Sequence, residues 1–218
     1  MLLHKQLALK LTQAQGDHAI FSASKAEQWM NCPASLQVTM NGKKSTSSFF
    51  AEEGTAAHEL GEKCLVNNLP TSAAAGTIIY KDFIVDDDMV INVQKYVDYV
   101  NALTNEGDTV LVESKLDYTE YVPGGFGTAD AIVIQKDALH VIDLKYGKGE
   151  KVDAANNKQM QLYAIGALEI TAMLGITIKR VFMHIVQPRI GHYDEWSRTP
   201  KQLDMFGKKA TRASTAAL

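Results

Sequence analysis

Two apolar, β-branched runs, Asp130 to Gln135 and Ala138 to Leu144, are separated by only Lys136-Asp137. A two-residue polar connection between such runs is a tight hairpin, so the strands pair antiparallel in one register. In that register facing residue numbers sum to 273, which sets Asp130 opposite Asp143. Carboxylates facing each other across a sheet repel unless something positive lies between them. A divalent cation is the natural occupant, since hard carboxylate oxygens suit magnesium or manganese. Lys145 falls two residues beyond Asp143, on the same face of its strand. An ammonium there can hold a water or stabilise charge building on a phosphate. An isolated Asp-x-Lys at a strand end is an ordinary surface pair; the preceding Asp130 and the register give this one its meaning.

The hairpin is embedded in a change of period. Ahead of it, Ala57, Leu60, Cys64 and Leu65 recur at helical spacing over 55–67, and Met89, Val93, Tyr96, Val97, Val100 and Leu103 line one face of a further helix. Ser24 and Glu27 have capping-box spacing before a short helix carrying Ala26, Trp29 and Met30, which Pro33 ends. The polar stretch 41–48 reads as a mobile loop. Thr109 to Leu116 alternates as a strand, making a three-strand meander with the hairpin. Helical period returns from Asn156 to about Leu174, and a last strand, Lys179 to Gln187, stops at Pro188. This order predicts an α/β fold with a mixed central sheet flanked by helices.

The remaining composition narrows the function classes. The chain has 218 residues, 46% hydrophobic and 22% charged, enough to bury a core without cross-links. No run approaches a membrane span, and Lys5, Lys10 and Gln13 break up the opening apolar residues, so no secretory signal is expected. Cys32 and Cys64 are too few for a disulfide framework, which points to a reducing, cytoplasmic compartment. Net charge is −3, so a wholesale basic coat for nucleic acid is excluded. Residues 51–150 hold seven basic and eighteen acidic side chains, whereas 1–50 hold five and two and 151–218 hold ten and five. Basic ends thus flank an acidic middle that suits a cation.

An ordered set of motifs from Ser22 to about Trp196 resembles the PD-(D/E)XK nuclease superfamily, in its RecB-like exonuclease branch. The set runs Ser22-Ala23-Ser24 to Cys32-Pro33, Gly54-Thr55-Ala56-Ala57-His58, Gly127-Thr128-Ala129-Asp130, Val141-Ile142-Asp143-Leu144-Lys145, and Gln159-Met160-Gln161-Leu162-Tyr163. The phrases Glu52 to Leu60 and Pro123 to Asp130 resemble a phage- and prophage-encoded set similar to CRISPR-associated exonucleases. The resemblance implies a restriction-endonuclease-like fold in one domain over 1–218. Within it, 1–50 is an N-terminal helical segment, 51–196 the catalytic core and 197–218 a basic tail.

It also implies a Mg2+- or Mn2+-dependent deoxyribonuclease, an exonuclease in phage recombination or replication. Its partners are then DNA, at an end or single-stranded region, and a phage recombination or replication protein, in the host cytoplasm and away from membrane. The metal falls to His58, Asp130, Asp143 and the Leu144 carbonyl, and catalysis to Asp130, Asp143, Lys145, Gln159 and Tyr163. Gln159 and Tyr163, four apart, share one helix face, where amide and phenol can bond the scissile phosphate or a base. Relatives with an iron–sulfur cluster use one cysteine of the Cys-Pro element and three near the C-terminus. The tail here has no cysteine, so no cluster is expected.

Other residues carry an open choice. Glu62 orients His58 or is solvated, and Glu113 joins the site or is a surface strand residue. Trp29 and Phe126 stack on bases or pack. Lys148, Lys151, Lys158 and Arg189 contact phosphate or are scattered surface charges. Gly124-Gly125-Phe126-Gly127 precedes a strand instead of linking strand to helix, so it is not a phosphate loop; its glycines allow a tight turn before Asp130. The missing cysteines and short tail also suit a second function, a nuclease fold retained as a DNA-binding or assembly module with little catalysis.

Overall fold

The computed structural model describes residues 19–36 and 48–218, so most of the loop expected over 41–48 lies outside the described residues. Among the described residues there are five α-helices: α1 (Ala26–Asn31), α2 (Phe49–Asn67), α3 (Asp87–Leu103), α4 (Lys158–Met173) and α5 (Pro200–Ala217). A small hairpin, β1 (Ile78–Tyr80) and β2 (Phe83–Ile84), precedes the main sheet of β3 (Thr109–Asp117), β4 (Phe126–Ile134), β5 (Ala138–Leu144), β6 (Arg180–Gln187) and β7 (His192–Arg198). The main strands lie in chain order, antiparallel except for β5 and β6. That parallel pair needs a crossover, which α4 supplies.

The hairpin register is as expected, with Ala131 opposite Ile142 and Ile134 opposite Leu139, closed by the Gln135 amide donating to the Ala138 carbonyl. β4 starts four residues before the expected Asp130, because its first residues, Phe126 to Ala129, pair with Ser114 to Asp117 of β3. The Ser24–Glu27 capping box does not form. A 3-10 turn over Ala23–Lys25 leads into α1, and the Glu27 carboxylate accepts from Asn31 and Lys158. The longer helices are capped by side chains: Ser48 for α2, Asp86 for α3, Asn157 for α4, and Thr199 with Gln202 as a capping box for α5.

Two apolar cores cover the two faces of the sheet. One gathers α1, α4 and α5 against Ile132, Ile134, Leu139, Val141, Val181 and Met183; the other gathers α2 and α3 against Ala131, Val133, Ile142, Leu144 and Val186. Residues of opposite parity go to opposite cores, as a pleated strand requires. The alternation skips at two facing positions. Ala129 and Ile132, three apart, share the first core, as do Leu111 and Leu116, five apart. The skips lie at Asp130 and Glu113, where the β3–β4 pairing also lapses, and Glu113 holds a left-handed φ of 45° in mid-strand.

Trp29 belongs to the first core and not to a base-stacking surface. It is 2% exposed, donates its indole N–H to the Ser22 carbonyl at 3.0 Å and meets Phe21 edge-on. Phe126 is half-buried, with the Lys115 ammonium 4.2 Å from its ring centroid.

Candidate active site

Asp130 and Asp143 each lie one residue beyond Ala131 and Ile142, the last register pair of β4 and β5. The Leu144 amide donates to Asp130 Oδ2 at 2.6 Å, so a side chain occupies the place of the next ladder bond. Asp130 Oδ1 lies 3.2 Å from Nδ1 of His58 on α2. Burial disfavours a charged His58 ring, but Asp130 and its hydrogen bond, with Asp143 and Glu113, outweigh that and push its pKa up to about 9.

Asp143, 2% exposed, is held from the other side. Gln159, at the start of α4, donates from Nε2 to Asp143 Oδ1 at 3.0 Å and to the Tyr163 hydroxyl at 3.2 Å. Lys145 Nζ donates to Gln159 Oε1 at 3.1 Å. Nζ also stands 2.9 Å from the buried Asp143 Oδ2, pairing the ammonium with the carboxylate. Burial raises the Asp143 pKa, with Asp130 adding and Lys145 opposing. Burial opposes the Lys145 ammonium, but Asp143 outweighs it and holds that pKa above its ordinary value. Burial also raises the Tyr163 phenol, helped by Asp143, so it stays protonated at neutral pH. A Cβ on Gly127 would stand 2.7 Å from the Tyr163 ring; glycine there admits the phenol, a close approach beyond the tight turn expected of this segment.

Glu113 reaches the site through its backbone kink. Donor atoms of His58, Glu113 and Asp130 lie within 4.8 Å of one another, a spacing that can share one cation. Asp143 stands beside that set, on Lys145 and Gln159. Burial, then repulsion from Asp130, pushes the Glu113 pKa up to about 7. His58, Glu113 and Glu62 line a cleft of about 460 Å3 with Thr55 and Glu59 of α2. A second cleft of about 360 Å3 adjoins Gln159, lined by Ser24, Lys151, Asn157 and Lys158.

The expected phosphate contacts divide. Lys148 and Lys151 stay exposed in loose pairs with Asp88 and Asp153, at 3.7 and 3.3 Å. Lys158 is drawn to Glu27 and Asn31, at 3.0 and 2.6 Å. Arg189 is overturned as a phosphate contact: its side chain is 8% exposed and bound to Glu53 and Asp88. Sequence reading left Glu113 undecided, because the long connection 118–125 between β3 and β4 does not fix their register as a tight turn does.

A family model described as "Protein of unknown function (DUF2800)" matches residues 18–218, nearly the whole chain. The chain belongs to this family. This DUF2800 member is also similar to two solved structures. "Crystal Structure of LHK-Exo in complex with dAMP" shares 13% identity over 96% of this chain and 90% of that one, with a TM-score of 0.39. "Crystal structure of SSO0001" shares 11% identity over 88% and 84%, with a TM-score of 0.29. No helix among the described residues is long and apolar enough to cross a membrane.

Proposed function

We propose that this DUF2800 protein is a Mg2+- or Mn2+-dependent deoxyribonuclease, an exonuclease acting as one nuclease domain in phage recombination or replication in the host cytoplasm. The observation that carries this reading is the continuous contact chain His58–Asp130–Leu144 amide and Asp143–Lys145–Gln159–Tyr163 at the ends of β4 and β5. Four of the five ordered motifs of the sequence fall on these same residues.

The donors fit a hard divalent cation. One imidazole, the carboxylates of Asp130, Asp143 and Glu113, and the Leu144 carbonyl supply the nitrogen and oxygen donors such a cation takes, and the donor atoms of His58, Glu113 and Asp130 are close enough to share one. When bound, such a cation lowers the pKa of water and stabilises charge on phosphate oxygens. The Lys145 ammonium orients a water for in-line attack on the phosphodiester and balances charge building on phosphate. Gln159 holds Lys145 and Asp143 at a fixed separation, and the protonated Tyr163 phenol offers its O–H to a phosphate oxygen.

Linear and circular DNA are incubated with purified protein and either cation, against Asp143→Ala and Lys145→Ala variants whose folding is checked by circular dichroism. Cleavage of linear DNA alone, lost in both folded variants, is expected. Retained cleavage in both ends the mechanism, and metal-independent binding without cleavage replaces it with a DNA-binding module.

A further inference from the structure

Arg189, excluded above from phosphate contact, has a different place in the molecule. It lies on the 3-10 turn Pro188–Ile190 between β6 and β7, and its guanidinium reaches α2, α3 and the segment that follows β5. Nη1 meets Glu53 Oε2 of α2 at 2.8 Å, and Nη2 meets Asp88 Oδ2 in the first turn of α3 at 2.8 Å. Its carbon stands 4.5 Å from the ring centroid of Tyr146, the residue after Lys145. Nε is buried without a hydrogen-bond partner among the described residues.

The partners belong to the two halves of the candidate site. Glu53 precedes His58 by five residues on α2, and Tyr146 continues the β5 end that carries Asp143 and Lys145. A buried guanidinium paired this way adds little net stability over a well-packed apolar group, because desolvation offsets most of the attraction. Its planar fork instead fixes geometry, holding two carboxylates and an aromatic face in one arrangement.

We propose that Arg189 is a positioning residue: it clamps α2 against the β5 end, so that His58 meets Asp130 beside Asp143 and Lys145. The inference rests on the cation-site reading above. With the clamp cut, α2 keeps its own capped helix and core contacts but loses the constraint on where His58 meets the strand ends.

The test is Mn2+ binding by the full chain, measured calorimetrically without DNA, for wild type, Arg189→Met, Arg189→Lys and the core variant Val97→Ala. Arg189→Met is expected to bind Mn2+ about tenfold more weakly, as loss of a group that orients ligands does. Arg189→Lys stays weak, because an ammonium cannot repeat the fork to Glu53 and Asp88. Val97→Ala, which loses core packing on α3 away from the clamp, keeps wild-type affinity. Wild-type affinity in Arg189→Met, or an equal loss in Val97→Ala, overturns the proposal. If Arg189→Met fails to fold, Glu53→Gln, which uncharges one arm, decides it: weaker Mn2+ binding supports the clamp and unchanged binding refutes it. A wild-type chain that binds no Mn2+ ends the cation-site reading first, and the clamp with it.

Discussion

His184→Gln should flatten the acid sensitivity of this fold. His184 is fully buried on β6, within a hydrogen-bonded chain that no proposed chemistry uses. The Gln135 amide N–H donates to the Leu103 carbonyl at 3.0 Å, so its oxygen must accept from His140 Nε2 at 3.3 Å. His140 Nδ1 is then an acceptor for His184 Nε2–H at 3.0 Å, and His184 Nδ1 an acceptor for the Tyr99 hydroxyl at 3.0 Å. Each ring is a single neutral tautomer in a directed chain. Burial, with His140 adding, pushes the His184 pKa down to about 3. Unfolded, the ring takes up its proton near the ordinary 6.5. The unfolded state therefore binds more protons between pH 6.5 and 3, and stability complete above that window is lost as pH falls through it. Between pH 7 and pH 5 the loss from this residue is about 2 kcal/mol. Glutamine offers one acceptor and one donor to the same neighbours and does not titrate. Urea unfolding of both proteins at pH 7 and pH 5 should show wild type losing about 2 kcal/mol more than His184→Gln. His58 titrates in the opposite sense and is common to both proteins, so it cancels. Equal losses in the two proteins would refute the assigned tautomers and the buried neutral ring.

Two further substitutions separate stability from metal binding. Glu113→Gly removes a side chain from a left-handed position and a carboxylate beside Asp130. Its unfolding free energy should stay level or rise by up to about 1 kcal/mol while calorimetric Mn2+ affinity falls; a large loss of stability contradicts the strain. Tyr96→Phe deletes a buried hydroxyl that has no partner among the described residues. Stability by thermal or urea unfolding should be unchanged or higher by about 1 kcal/mol, and a clear loss would reveal a hidden partner such as a buried water.

The sequence by itself determined the parts that depend on local spacing. A two-residue turn between apolar, β-branched runs fixes register, so the pairing of Ala131 with Ile142, next to Asp130 and Asp143, was readable from residue numbers. The helical stripe of α3 and the shared face of Gln159 and Tyr163 follow from a period of about 3.6 residues. β7, His-Tyr-Asp-Glu-Trp-Ser-Arg, escaped because an edge strand half in solvent carries polar residues and little alternation. α5 escaped although Thr199, Pro200 and Gln202 mark a helix start, since its buried face is mostly small residues, Gly207, Ala210, Ser214 and Ala217. Only the tertiary structure decided that Gln159 bridges Asp143 and Lys145, that a kink brings Glu113 to His58, and that Arg189 joins Glu53, Asp88 and Tyr146. Those contacts link residues on different elements, and which carboxylate receives which cation depends on how helices pack across the sheet. No periodicity in one segment records that.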